Sequence, residues 1–231
     1  MGPTPGDNVL RRSDLDELRR INLDTERSIL LATDTPSMQS LGDQLSAELV
    51  ALPALDEPES FEAWRAQVGG VPDCSRVIVS VWNAAPTQGV LVEQEHDAWL
   101  RRFEHPYLLW NFALGAAARR CHEGGAIVAL VQTPAALDAA GWTPEMSIAD
   151  GVVALLRSLA ASEGSRGIRA NAVTTPIPLV GKTVIAPPPP LDAFPGRLDE
   201  EVAGALRLLL SPDACGVTGR VVAADGGRSL A

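Results

Sequence analysis

The sequence predicts a doubly wound parallel α/β sheet, and two observations carry that prediction. Short apolar runs alternate along the chain with longer segments of helical spacing, the rhythm of successive strand–helix crossovers. The run Arg76-Val-Ile-Val-Ser-Val81 is β-branched and apolar on both faces, as strands are when helices cover both sides of a sheet. With 231 residues, 46% of them hydrophobic, the chain can bury one sizeable core and is short for two.

The elements follow in order. Ser28 to Thr33 reads as a buried strand, Asp34-Thr35-Pro36 as a turn, and Met38 to Leu49 as a helix. Val50 to Leu55 is a second strand, and Pro58 to Val68 a helix with Asp56 before it as cap. After the strand Arg76–Val81 comes a long helical stretch, Glu93 to Arg120, with a kink expected at Pro106. Gly124-Gly125 precedes a fourth strand, Ala126 to Val131. Thr143-Pro144-Glu145 has the marks of a helix start: a capping hydroxyl, Pro at the first position and an acid in the first turn. That helix runs to about Ser162, with Ile148, Val152, Leu155 and Leu159 on one stripe and Val153, Leu156 and Ala160 beside it. The stripe is too wide for one buried face. Ile168 to Val173 is a fifth strand, Asp199 to Leu210 a helix, and Arg220 to Ala224 a last strand. Residues 1–27 read as a polar extension and 28–231 as one domain.

Composition narrows the function. A formal charge of -10 argues against nucleic acid and anionic membranes, which call for a cationic footprint. No apolar run reaches the roughly 18 residues of a membrane span, and Met1 to Ser28 has no apolar signal core. Three well-separated cysteines, Cys74, Cys121 and Cys215, suit reduced thiols. The expected location is the cytoplasm. His96, His105 and His122 share no ligand spacing, so no metal is expected. Gly181-Lys182-Thr183 lacks the first glycine of a phosphate loop, since residue 176 is Pro176. Pro187 to Pro190 is a polyproline stretch.

Three motifs in the second half carry a family resemblance. Leu156-Arg-Ser-Leu-Ala-Ala-Ser-Glu-Gly-Ser-Arg-Gly-Ile-Arg-Ala-Asn-Ala-Val173, Gly196-Arg-Leu-Asp-Glu-Glu-Val-Ala203 and Val217-Thr-Gly-Arg-Val-Val-Ala-Ala-Asp-Gly-Gly227 resemble successive motifs of the short-chain dehydrogenase/reductases. The resemblance covers residues 76 to 228 well and 28 to 75 loosely. It implies a Rossmann-like sheet. The interval from the first to the third strand is short by one strand–helix unit, which the resemblance places at the second strand, the one that grips the adenosine ribose.

Carried over residue by residue, the resemblance puts the family's catalytic Tyr on Glu145, its Lys on Ala149, its Ser on Gln132 and its Asn on about Pro106. The family's Asn-rich stretch after the third strand reads Val81-Trp-Asn-Ala84. In that chemistry Tyr is the general acid and Lys lowers its pKa. The chain has one tyrosine, Tyr107, and one lysine, Lys182, so no replacement pair stands nearby. The turn after the first strand, Ala32-Thr-Asp-Thr-Pro-Ser-Met-Gln-Ser-Leu-Gly42, holds one glycine where a dinucleotide site uses several. No cofactor is therefore expected.

The leading expectation is a non-catalytic subunit, a pseudoenzyme acting through association: a homodimer, a homotetramer, or a heteromer with an active subunit of the family. Its two wide apolar helices would form the interface, and Val152 or Leu156 changed to Asp would break it. A second expectation is an enzyme of another class (cyclase, isomerase or dehydratase) with Glu145 and His105 as acid and base. A third is an atypical NAD(P)-dependent oxidoreductase. Trp82, Trp110 and Trp142 read as core packing or as the lining of a cleft.

Overall fold

The structure is a computed structural model and describes residues 27–53, 61–82, 91–93, 95–133, 141–177, 191 and 197–228. The polar extension up to residue 26, Asn83-Ala84, Gly181-Lys182-Thr183 and Pro187 to Pro190 lie outside them.

Among the described residues six parallel strands form one sheet in the order β2-β1-β3-β4-β5-β6. They are β1 Ser28–Ala32, β2 Glu48–Ala51, β3 Cys74–Ser80, β4 Cys121–Gln132, β5 Arg169–Thr175 and β6 Val221–Ala223. The expected α/β class is the one found. β1 is buried at every position, and Val77, Ile78 and Val79 of β3 are fully buried, as are Ile127 to Val131 of β4. Helices on both faces explain why these runs are continuously apolar rather than alternating.

The helices are α1 Pro36–Leu45, α2 Phe61–Gly69, α3 His96–Trp99, α4 His105–Arg120, α5 Thr143–Ser162 and α6 Ala203–Leu210. The kink expected at Pro106 takes a specific form. A π-helical turn, Leu100–Glu104, lies between α3 and α4, so Pro106 sits in the first turn of α4, where its missing N–H costs least. A second π turn, Leu198–Val202, leads into α6. At α5 the helix begins one residue earlier than the capping reading expects. Trp142 is the cap residue and makes no side-chain cap bond, while the Thr143 carbonyl accepts from Ser147 Oγ at 2.8 Å.

Two of the family-like motifs meet in the sheet. Asn171 of β5, 1% exposed, donates from Nδ2 to Val217 O at 2.8 Å and accepts from the Arg220 N–H at 3.0 Å. Gly219, at φ 68°, donates its N–H to Ala170 O at 2.7 Å. The buried amide thus ties the β6 segment to β5, and the left-handed glycine allows the approach.

The shortening by one unit is found, but at a different place. In the doubly wound order 3-2-1-4-5-6 the second strand lies beside the first and the third lies at the edge. Glu48–Ala51 pairs directly with β1, Ile29 opposite Glu48 through Ala32 opposite Ala51. The second-strand position is filled, and among the described residues it is the outer strand that has no counterpart. Sequence spacing counts missing residues without saying which side of the sheet lost them.

Candidate functional site

β1 leads to β2 on one side of the sheet and to β3 on the other, so the crevice at their carboxyl ends is the topological switch point, where open α/β sheets hold ligands. One wall is the turn Thr33-Asp34-Thr35 and the start of α1. Thr33 Oγ1 donates across the crevice to Trp82 O at 3.1 Å. Thr35 caps α1, its Oγ1 accepting from Met38 N–H at 3.2 Å, and its carbonyl takes Gln39 N–H at 2.9 Å. Pro36 has no N–H to give. Asp34 accepts from Gln39 Nε2 at 2.7 Å. Gly42 faces inward, not toward the crevice: a Cβ there would lie 3.0 Å from Ala47 O and 3.8 Å from Leu30 Cδ2. That is a packing role, the close approach of helix to strand.

The other wall is built from β4 and α5. Gln132 ends β4. Glu145 lies in the first turn of α5, and Ala149, one turn on, is buried. Both Glu145 oxygens are taken by Arg102 of the π turn: Nε to Oε1 and Nη2 to Oε2, each 2.8 Å. The two side chains are only 13% and 15% exposed, and Arg102 Nη2 also reaches Gly141 O at 3.3 Å. No basic residue stands beside Glu145 in the sequence; the structure supplies one from a distant segment. A two-point guanidinium–carboxylate fork is the strongest ordinary side-chain pairing.

The remaining expected site residues are held elsewhere. His105 packs edge-on against Trp64 of α2, centroids 6.2 Å apart, and Pro106 is buried, so Glu145 and His105 are given separate partners. Tyr107 stacks on Phe103 at 5.7 Å and covers Gly151 of α5, where a Cβ would lie 2.6 Å from Tyr107 Cε2. Trp82 and Trp110 form a buried T-shaped pair at 6.2 Å, and Trp82 Nε1 donates to Leu130 O at 3.2 Å. These two are core residues that back the crevice. Val152 and Leu156, expected at a partner interface, are 0% and 2% exposed within the chain's own core. The residues beside them, Leu155 and Leu159, are half-buried and line a shallow groove with Asn111, Leu114 and Gly115 of α4. A stripe too wide for one face had two destinations, and periodicity does not say which half meets the sheet.

Cys74 and Cys121 are buried free thiols; desolvation, before any other cause, pushes them up to about 11 and about 12. Cys215 is exposed. Among the described residues no His, Cys, Asp or Glu group could hold a metal, and no helix is long and apolar enough to cross a membrane.

No protein-family model and no curated protein matches the chain. Solved structures do. A short-chain dehydrogenase/reductase from Serratia marcescens is 19% identical, covers 88% of this chain and 98% of its own, and superposes with a TM-score of 0.61. A blue fluorescent protein from a metagenomic library, in complex with NADPH, is 19% identical over 95% of this chain and 94% of its own, TM-score 0.60. Landomycin C-6 ketoreductase, with bound NADP and rabelomycin, is 15% identical over 89% and 98%, TM-score 0.63. The fold is that of the short-chain dehydrogenase/reductases, as the motifs imply.

This corrects the expectation that no cofactor is involved. Structures of this fold carry NADPH or NADP, and the physical basis of the expectation is weaker than it looked from sequence. The strand beside β1 is present, and the switch-point crevice is formed. The hydroxyls of Thr35 and Ser37 and the Ser37 N–H are the donors this chain brings to the place of a glycine turn, the Thr33 hydroxyl being spent on Trp82 O.

Proposed function

We propose that the chain is a nicotinamide-nucleotide-binding protein of the short-chain dehydrogenase/reductase fold that does not run the family's Tyr–Lys hydride transfer and acts through association with like or related subunits. The observation that carries this reading is the Arg102–Glu145 fork. A general acid at the Tyr position must offer a proton into the cleft. Glu145 instead gives both oxygens to a guanidinium, and Ala149 one turn on has no group to tune it. When bound, the nucleotide would supply a hydride; among the described residues Glu145, committed to Arg102, and Ala149 offer no free proton donor at the expected position beside it.

Thr35, whose hydroxyl keeps its own proton while accepting from Met38 N–H, and Ser37 are the residues that would hold the nucleotide's diphosphate. Two donors used by a glycine turn are absent: Pro36 lacks one, and Thr35 takes the Met38 N–H. A hydrogen bond to a charged group is worth about 1.5–3 kcal/mol, so binding is weakened by at least roughly tenfold per donor. Titration of the nucleotide by calorimetry tests this. Saturable NADPH binding is expected, tightened by about tenfold in Thr35→Gly, which frees the Met38 N–H at a capping cost of a few tenths of a kcal/mol. No saturation in either protein would refute the reading.

Association is supported by the half-buried side of α5. Leu155 and Leu159 lie beside Leu114 of α4 along one groove, and Trp99, Phe103 and Tyr107 form a run of ring contacts, tilted then stacked, at the start of the same helical arm. Light scattering of the purified chain, alone and with a co-purified relative, reads the assembly directly.

A further inference from the structure

At the opposite, amino end of the sheet lies a cavity of about 650 Å³, well within the range that takes small molecules and too large for a bare ion. It is framed by the starts of three adjacent strands. β3 and β4 are out of simple register there: Cys74 stands opposite Cys121, but Arg76 stands opposite Ala126. Four residues, His122, Glu123, Gly124 and Gly125, stand against the single Ser75, and this bulge forms one wall. Bulges of this kind re-aim side chains and concentrate beside functional sites.

The lining runs against the charge of the whole protein. On a chain of net charge -10, the cavity presents two guanidinium groups, Arg76 and Arg169, against one carboxylate, Glu123, with the His122 ring beside them. Arg169 is 9% exposed. Its Nη1 donates to Leu209 O at 2.7 Å and its Nη2 to Ser211 O at 3.0 Å, the carbonyls at the end of α6. No carboxylate among the described residues pairs with it. A helix C-terminus offers about half a negative charge, which leaves part of a buried unit charge uncompensated. Burial accordingly weakens its hold on its proton. The floor is glycine. Gly124 has φ 76°, and a Cβ on it would meet nothing within 4 Å; Gly125 admits no Cβ, which would lie 2.6 Å from Ser75 O.

We propose that this cavity is a second ligand site, built for the phosphate group of a small phosphorylated metabolite. Guanidinium groups match phosphate oxygens in geometry as well as charge, and a side-chain-free floor lets such a ligand approach the main chain. The site shares no residue with the switch-point crevice and stands independently of nucleotide binding there.

The test is amide NMR of the full ¹⁵N-labelled chain titrated with ribose 5-phosphate and, separately, with ribose. The amides of Gly124, Gly125 and Gly167 should shift saturably with the phosphate ester and not with ribose. Glu123→Gln, at an exposed position, should tighten that binding by about two- to fivefold, the effect of removing one exposed like charge. Absence of saturable shifts at these glycines, shifts confined to Asp34 and Ser37, equal shifts with ribose, or an affinity unchanged by Glu123→Gln would each overturn the proposal.

Discussion

Replacing Glu145 by Gln tests the Arg102–Glu145 fork at its source. The substitution keeps an oxygen that can accept one guanidinium N–H and removes the charge and the second acceptor. A first-turn carboxylate interacting only with the helix dipole would contribute about 0.3–1 kcal/mol. Here Arg102 would be left mostly buried beside a neutral amide, with Gly141 O its other partner. Breaking a fully buried pair costs about 3–5 kcal/mol, and losing a hydrogen bond to a charged group about 1.5–3 kcal/mol. The two side chains retain some exposure, so the lower range applies: about 1.5–3 kcal/mol. At roughly 2–4 °C per kcal/mol for a domain of this size, the midpoint should fall by about 3–12 °C. Urea unfolding of the wild type, Glu145→Gln, Arg102→Leu and a double variant, Arg102→Leu with Glu145→Leu, completes a cycle. The double variant should recover much of the loss, because neither charge is left unpaired. A loss under about 0.5 kcal/mol in Glu145→Gln, with no coupling to Arg102, would refute the fork and return Glu145 to the list of candidate acids.

Other perturbations read other parts of the structure. Leu155→Asp with Leu159→Asp should reduce the assembled mass in light scattering at unchanged circular dichroism; an assembly that survives both would place the interface elsewhere. Gly151→Ala should cost about 1–3 kcal/mol by overpacking, because the new methyl would lie 2.6 Å from Tyr107 Cε2; a neutral result in thermal unfolding would mean that the Tyr107 ring moves freely. Iodoacetamide at mildly alkaline pH should label Cys215 and spare Cys74 and Cys121 in the native protein, as peptide mass mapping would show. The same two thiols set an alkaline limit. Their folded pKa values, about 11 and about 12, lie above the ordinary 9.0. The contribution is intact below 9.0 and is lost as pH rises toward 11 and 12, since the unfolded state deprotonates first. Stability that stays flat through that window would contradict the burial of these thiols.

The inner strands were legible because each is a short apolar run between turn residues, and strands buried on both faces admit few other readings. The edge strand β2 was not: the helix expected over Met38–Leu49 ends at Leu45, and the strand expected at Val50–Leu55 runs Glu48–Ala51, partly exposed and opening on a charged residue. Asn171 could be placed in a strand from its motif, but not its tie to Val217 and Arg220, which joins segments distant in sequence. The same limit explains Arg102. Nothing local links it to Glu145; only the π turn ahead of α4 swings it over the start of α5. The expectation of no cofactor failed for a related reason. It weighed the glycines of one turn and placed the lost strand beside β1, whereas strand pairing puts Glu48–Ala51 there. The amino-end cavity left no motif, because its walls come from three strand starts and a bulge.

The most direct measurement of the central claim is a single experiment in two stages. Purified protein is titrated with NADPH, followed by nicotinamide fluorescence, and a panel of ketone, aldehyde and quinone substrates is then added while the nicotinamide absorbance is monitored. The expected result is a saturable fluorescence change and no carbonyl-dependent oxidation of the bound NADPH. A failure to bind would contradict the nucleotide site at the switch point. Carbonyl-dependent oxidation abolished by Glu145→Gln would contradict the reading of Glu145 as a residue committed to Arg102.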